Sequence, residues 1–159
     1  MNINSNLSKK SFAIYGLGAT GRSVINYFRE NNFKNYIVWD DNYKVIKKFY
    51  GKKFKNKRNN FLNFINIVDY IIISPGISLK KSKNKKILLR NKDKIITDLD
   101  LFFLINPKVR SIVVTGTNGK STTCKIIDHL LKKNRINVRL GGNIGEPVLT
   151  LKVKENSLI

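Results

Sequence analysis

The sequence predicts an α/β protein: a Rossmann-like parallel-sheet domain over residues 1–107, followed by the start of a P-loop α/β domain over residues 108–159. Three observations carry this. Short apolar runs rich in isoleucine and valine alternate with stretches of helical periodicity, the pattern of parallel strands joined by crossover helices. A glycine turn, GLGATG at 16–21, joins the first strand to the first helix. A second, TGTNGKST at 115–122, stands in the same relation to a later strand and helix.

The elements follow in order. Residues 11–15 form a short apolar strand, and residues 22–30 a helix with Val24, Ile25 and Phe28 at inward spacing. Residues 36–39 are a second strand, ending at Asp40-Asp41-Asn42, and residues 44–50 a helix. Residues 51–66 carry no clear signal. Residues 69–74 are a strand of continuous isoleucines, as expected for burial on both faces, and it stops at Ser74-Pro75-Gly76. Residues 82–91 read as a helix packing through Ile87 and Leu88, and residues 95–97 as a short strand. Asp98 is expected to cap a helix over 99–105, which Asn106-Pro107 ends. Beyond that break come a buried strand at 111–115, the phosphate loop, a helix over 123–131 and a strand at 137–140 that ends in Gly141-Gly142-Asn143-Ile144-Gly145. Residues 155–159 read as a strand beginning. A phosphate-loop sheet needs more strands than this second region supplies, so the chain is expected to be the N-terminal piece of a longer protein.

Composition narrows the function classes. At 159 residues and 42% hydrophobic content the chain is of ordinary globular make-up. A single cysteine, Cys124, rules out an internal disulfide and suits a reducing compartment. No stretch approaches the ~18 apolar residues of a membrane span, and no apolar core precedes Ser11, so a signal peptide is not expected. The net charge of +21 suggests polyanionic partners, and residues 44–58 interleave lysines with Phe49, Tyr50 and Phe54. Against that, lysines are scattered from Lys9 to Lys154, and the wealth of Lys, Asn and Ile is what A/T-rich codons produce. Nucleic acid is therefore not expected as the partner.

Two motifs point to nucleotide chemistry. In the second loop, backbone N–H groups of the turn and the positive end of the following helix dipole suit phosphate oxygens. Lys120 is placed to reach the β- and γ-phosphates and Ser121 to ligate Mg²⁺. The spacing departs from the common P-loop: Gly116 precedes Gly119 by three residues instead of five. In the first loop, Gly16-x-Gly18-x-x-Gly21 opens a helix, and Asp40 ends the next strand about 20 residues on, as in the dinucleotide-binding fingerprint. That fingerprint does not name its ligand: NAD is the commonest occupant, and any nucleoside diphosphate suits the same crevice. Ser74-Pro75-Gly76 by itself reads first as a plain turn, with donation from Ser74 to a phosphate oxygen at the carboxyl end of its strand as the functional reading, and Asn143 offers a donor and an acceptor to a ligand. On the second loop's helix, His129 reads as a solvated or packed side chain and Cys124 as a small packed one.

One diphosphate site and one triphosphate-with-Mg²⁺ site in a single chain suit an ATP-driven ligase acting on a nucleotide-linked substrate; an NAD-binding oxidoreductase or dinucleotide-binding module is the alternative. The set GLGATG, SPGI, TGTNGKST and GGNIG, in this order, resembles the Mur ligases of peptidoglycan synthesis, and among them the D-glutamate-adding branch. Other branches resemble it less: the L-alanine-adding enzymes usually have His where this chain has Asn118.

The resemblance implies a cytoplasmic, monomeric enzyme of cell-wall biogenesis that uses ATP and Mg²⁺ to add D-glutamate to UDP-N-acetylmuramoyl-L-alanine through an acyl phosphate. It puts Gly18, Ala19, Thr20 and Gly21 against the UDP diphosphate, Asp40 near uridine, Ser74 at the UDP-sugar and Asn143 at the substrate. ATP falls to Gly116, Thr117, Asn118, Gly119, Lys120, Ser121 and Thr122, with Lys120 on the phosphates as the catalytic group and Ser121 on Mg²⁺. The family's acidic Mg²⁺ ligand, metal-binding histidine, modified lysine and D-glutamate-holding domain lie beyond Ile159, so the chain alone is expected to be inactive. After the acid at the end of the second strand, well-known members carry Thr-Arg; here Asp41-Asn42 follow, which leaves the uracil contacts open.

Overall fold

A computed structural model describes residues 6–51, 57–142, 145–154 and 157–159. The chain divides into two compact units, one ending at Leu101 and the other spanning Phe102–Ile159. The first is built on a four-stranded sheet: β1 (Phe12–Tyr15), β2 (Tyr36–Trp39), β3 (Tyr70–Ile73) and β4 (Ile95–Ile96), in the order β2-β1-β3-β4. All neighbours are parallel and in matched register, with Phe12 opposite both Tyr36 and Tyr70, and Tyr15 opposite both Trp39 and Ile73. Its helices are α1 (Ala19–Glu30), α2 (Tyr43–Tyr50), α3 (Lys57–Ile67) and α4 (Lys85–Arg90), and α5 (Asp98–Ile105) begins at its end.

The two faces of β1 explain how the helices dock. Side chains alternate along a strand, so Phe12 and Tyr15 point to opposite faces. Phe12 packs on Phe28 of α1 with ring centroids 4.8 Å apart, and Phe28 stacks on Phe33 at 4.5 Å. On the other face Tyr15 and Trp39 both stack on Phe61 of α3, each at 5.7 Å. These rings are buried, and each contributes about 2–3 kcal/mol by leaving water. The free edge of β2 is closed by one side chain: the Tyr50 hydroxyl donates to the Val38 carbonyl at 3.0 Å and accepts from its N–H at 3.4 Å. Those two groups would otherwise be an open template for another strand.

Several elements differ from expectation. The unassigned stretch contains α3, whose core face is Phe61 and Ile65, continued by Val68 just past its end. That i, i+4, i+7 spacing was present in the sequence, set among asparagines of poor helix propensity. Helix α1 starts three residues earlier than expected, because Gly18 serves as its N-cap. The expected helix over 82–91 is the short α4, preceded by turns in which Lys81 and Ser82 N–H both bond to the Ser78 carbonyl. Asp98 is not the cap of α5. Thr97 is: its hydroxyl accepts from Asp100 N–H at 3.2 Å, while the Asp100 carboxylate accepts from Thr97 N–H at 2.7 Å. This is a capping box with aspartate in the acidic position.

The second unit corrects the expected buried strand at 111–115 and the expected strand at 137–140. Neither forms a ladder among the described residues. Arg110 and Val138 each make a single parallel bridge to Leu158, and Ile112 N–H bonds to the Ile159 carbonyl at 2.7 Å. Ile112 and Val113 stand 46% and 74% exposed, against an expectation of burial. A strand is made by its neighbours, and one bridging residue per segment does not order a run. The main element here is α6 (Lys120–Lys133), which starts at Lys120, ahead of the expected Thr123, and buries none of its residues. Among the described residues, no helix is long and apolar enough to cross a membrane.

Candidate functional site

The direction of strand addition reverses between β1 and β3: β2 lies on one side of β1, β3 and β4 on the other. In an open parallel sheet the ligand crevice lies outside the carboxyl ends of the strands at such a point. The segments there are the glycine loop after β1, the Asp40–Asn42 turn after β2 and Ser74 after β3.

Two glycines make the loop possible. Gly16 has φ +104°, and a Cβ built on it would stand 2.7 Å from Ser74 Cβ. A Cβ on Gly21 would stand 1.8 Å from the Gly16 carbonyl oxygen. Gly18 is exposed, with open space at its Cα, and caps α1. The first bond of that helix runs from Arg22 N–H to the Gly18 carbonyl at 3.1 Å, so the N–H groups of Ala19, Thr20 and Gly21 have no intrahelical acceptor. Exposed Ala19 and half-buried Thr20 thus present backbone donors at the positive end of a 12-residue helix, a setting that suits phosphate oxygens.

Carboxylates brace the loop. Asp40 accepts from Leu17 N–H at 2.7 Å through one oxygen and from Asn42 N–H at 2.7 Å through the other, which ties the end of β2 to the glycine loop. Each oxygen retains a lone pair for a further donor. Ser74 is buried, and its hydroxyl donates to the Gly16 carbonyl at 3.1 Å. Beside the loop, α1 and α2 flank a groove of about 500 Å³ with Leu17, Ile25 and Phe49 along its apolar part and Arg22, Arg29, Lys44 and Lys48 at its polar part. Arg22 is anchored by its Nε donating to the Leu17 carbonyl at 2.9 Å.

Sequence reasoning missed a partly buried polar cluster beside this rim. The Tyr15 hydroxyl donates to Asp41 Oδ2 at 2.7 Å, lies 2.6 Å from Ser82 Oγ and accepts from Asn84 Nδ2 at 3.2 Å. Trp39 Nε1 donates to the other Asp41 oxygen at 3.3 Å. Burial pushes the Tyr15 hydroxyl up to about 12. One signal pointed to it: a tyrosine in a fully buried strand needs a partner for its hydroxyl.

The phosphate loop lies in the second unit. Gly119 caps α6 in the left-handed region at φ 76°, and Gly116 has φ 146°. Thr117, Asn118, Gly119, Ser121 and Thr122 are exposed. The Lys120 ammonium folds back over the loop, donating to the Gly116 carbonyl and, at 3.0 Å, to the Thr117 carbonyl. The lysine, the free helix N-terminus and the left-handed glycine thus converge on one spot, and they fit a phosphate chain. Ser121 is the Mg²⁺ candidate; no cluster of three or more His, Cys, Asp or Glu side chains that could hold a metal occurs among the described residues. A single protein hydroxyl fits Mg²⁺ bound to phosphates, since that ion keeps most of its shell as water and phosphate oxygens. His129 is exposed and Cys124 is a half-buried free thiol, both away from the loop's turn on α6. Asn143 lies outside the described residues.

Residues 10–96 match the family described as Mur ligase MurD-like, N-terminal domain. The chain is 38% identical over 156 residues to the UDP-N-acetylmuramoylalanine–D-glutamate ligase of Wolbachia sp. subsp. Brugia malayi, covering 93% of this chain and 30% of that protein. It is 35% identical to the same-named ligase of Rickettsia prowazekii, over 95% of this chain and 34% of that protein. With that of Buchnera aphidicola subsp. Schizaphis graminum it shares 38% identity, over 94% of this chain and 34% of that protein. The chain thus spans about a third of the length of the curated relatives it matches.

Proposed function

Because the chain belongs to the Mur ligase MurD-like family, we propose that it serves the ATP-dependent ligation of D-glutamate to UDP-N-acetylmuramoyl-L-alanine. The observation that carries this reading is the glycine loop at the switch point of the sheet, where Gly16 and Gly21 admit no side chain and the start of α1 offers the backbone donors of Ala19 and Thr20. A diphosphate needs that close approach of backbone.

In this reading residues 1–107 bind the UDP-linked substrate and residues 108–159 belong to the ATP-binding part. Gly18, Ala19, Thr20 and Gly21 hold the diphosphate, Asp40 lies at the uridine, Ser74 reaches the UDP-sugar, and Asn143 contacts the substrate. Gly116, Thr117, Asn118, Gly119, Lys120, Ser121 and Thr122 hold ATP. Lys120 exchanges its loop carbonyls for phosphate oxygens and neutralises charge that builds during phosphoryl transfer. Ser121 holds Mg²⁺, whose contribution when bound is to neutralise the same phosphates. The substrate carboxylate takes the γ-phosphoryl group with ADP leaving, and the amine of D-glutamate then displaces phosphate to form the amide. We place the protein in the cytoplasm as a monomer.

Calorimetric titration of the chain with UDP-N-acetylmuramoyl-L-alanine and, separately, with NADH tests the reading. Saturable binding of the UDP-linked compound is expected, with none of NADH. Binding of NADH alone would replace this reading by a dinucleotide-binding module.

A further inference from the structure

Asp41 belongs to the turn that the proposed function sets against uridine, yet its carboxylate is directed inward, to the buried hydroxyl of Tyr15. The proton assignments follow from chemistry. A carboxylate only accepts, and Asp41 Oδ2 lies 2.7 Å from the Tyr15 hydroxyl but 3.4 Å from Ser82 Oγ; the phenol takes the shorter bond to Asp41, which leaves Ser82 Oγ as the donor in the 2.6 Å contact with Tyr15. Asn84, itself buried, donates to the phenol's remaining lone pair. The hydroxyl is thereby saturated: one proton given, two accepted. Ser82 Oγ also receives Asn84 N–H at 3.1 Å, which holds the segment after β3 in its turn.

The cluster joins the ends of three strands that bound the crevice: β1 through Tyr15, β2 through Asp41 and the continuation of β3 through Ser82 and Asn84. Core packing does not require it. The Tyr15 ring already stacks on Phe61, and a phenyl ring would fill the same space. Tyr15 and Asn84 are buried and Asp41 and Ser82 half-buried; polar groups withdrawn from water in this way are costly unless satisfied, and a satisfied network specifies one geometry. Here that geometry is the orientation of the 40–42 turn, whose first residue in turn holds Leu17 N–H of the glycine loop.

We propose that Tyr15 is a positioning residue of the nucleotide crevice: by gripping Asp41 on one side and Ser82 and Asn84 on the other, its hydroxyl sets the turn after β2 and the segment after β3 at the spacing a nucleoside diphosphate requires. The inference rests on the proposed function in taking a nucleoside diphosphate as the ligand. It also answers why aspartate stands at position 41: the side chain serves the brace beneath the uridine position.

The test is calorimetric titration of the full chain with UDP, at a temperature where melting curves show each variant fully folded. Tyr15→Phe keeps the ring and should raise the Kd about tenfold, and Ser82→Ala about threefold, as expected for removing bonds of a buried network. The double variant should bind within a factor of about two of Tyr15→Phe alone, because the network acts as one unit. Asp41→Asn, which keeps an acceptor for Tyr15, should bind more tightly than Asp41→Ala. A purely structural role would lower the melting temperature and leave the Kd of the folded protein unmoved. A folded Tyr15→Phe with wild-type affinity overturns the inference; should that variant not fold, Ser82→Ala with wild-type affinity does so. If the wild-type chain binds no UDP, the proposed function fails and the inference falls with it, an outcome distinct from a wild-type that binds and a Tyr15→Phe that binds equally well.

Discussion

Ser74 and Gly16 meet across the carboxyl ends of β3 and β1, where the Ser74 hydroxyl donates to the Gly16 carbonyl at 3.1 Å in a buried setting. The bond ties the loop expected to face a diphosphate to the strand beside it. Ser74→Ala keeps the Cβ and deletes the donor, leaving a buried carbonyl without this partner. Denaturant unfolding should show a loss of about 1–2 kcal/mol. Unchanged stability would mean that the bond contributes nothing net.

Gly21 and Gly18 should differ in their tolerance of alanine. At Gly21 the added Cβ would sit 1.8 Å from a backbone oxygen, so the loop must move, and a loss of about 3 kcal/mol or more is expected. At Gly18 nothing lies within 4 Å, and only the poorer N-cap propensity of alanine should be felt, a loss of about 1 kcal/mol or less. Equal effects at the two sites would contradict the close approach of Gly21 to Gly16.

Asp69 should make the first unit acid-sensitive. Its carboxylate accepts from Ser11 N–H at 2.8 Å and from the Ser11 hydroxyl at 2.7 Å, and it pairs with Lys10 at 3.0 Å. The Ser11 backbone bond, then the Ser11 hydroxyl, then Lys10 hold this group down to about 2. A carboxylate whose pKa is lowered by folding binds fewer protons in the native state, so its contribution is present above the unfolded value of about 4. That contribution is lost as pH falls from about 4 through about 2. Partial exposure makes it modest. Asp69→Asn should flatten the stability–pH curve in that window, and a curve identical to wild type would refute the assignment.

Amide hydrogen exchange should separate the two units. Ile14 and Ile72 lie in laddered, fully covered strands and should exchange only through large openings. Residues 113–116, exposed except for half-buried Val114 and without a ladder, should exchange within the shortest labelling times. Equal protection of residues 12–15 and 113–116 would show that the second unit is ordered by more than these bridges.

Features that depend on neighbours along the chain were legible in the residues alone. Isoleucine and valine runs marked β1, β2 and β3 to within a residue, because a strand buried on both faces is apolar without interruption. The two glycine loops were recognisable because left-handed or crowded backbone leaves glycine as the residue that fits, as at Gly16 and Gly119. Helix α3 was readable from Phe61, Ile65 and Val68, had their spacing been weighed above the poor propensity around them. The tertiary structure alone decided the rest. The order β2-β1-β3-β4, the bond from Ser74 to Gly16, and the closure of β2 by Tyr50 join residues 12 to 58 positions apart. The same holds for the inward turn of Asp41, which lies 26 positions from Tyr15, and for the failure of residues 111–115 to become a strand. A strand exists only when paired, and a buried hydroxyl takes whichever partner the fold brings within reach. Both depend on long-range closure, and local sequence carries no record of it.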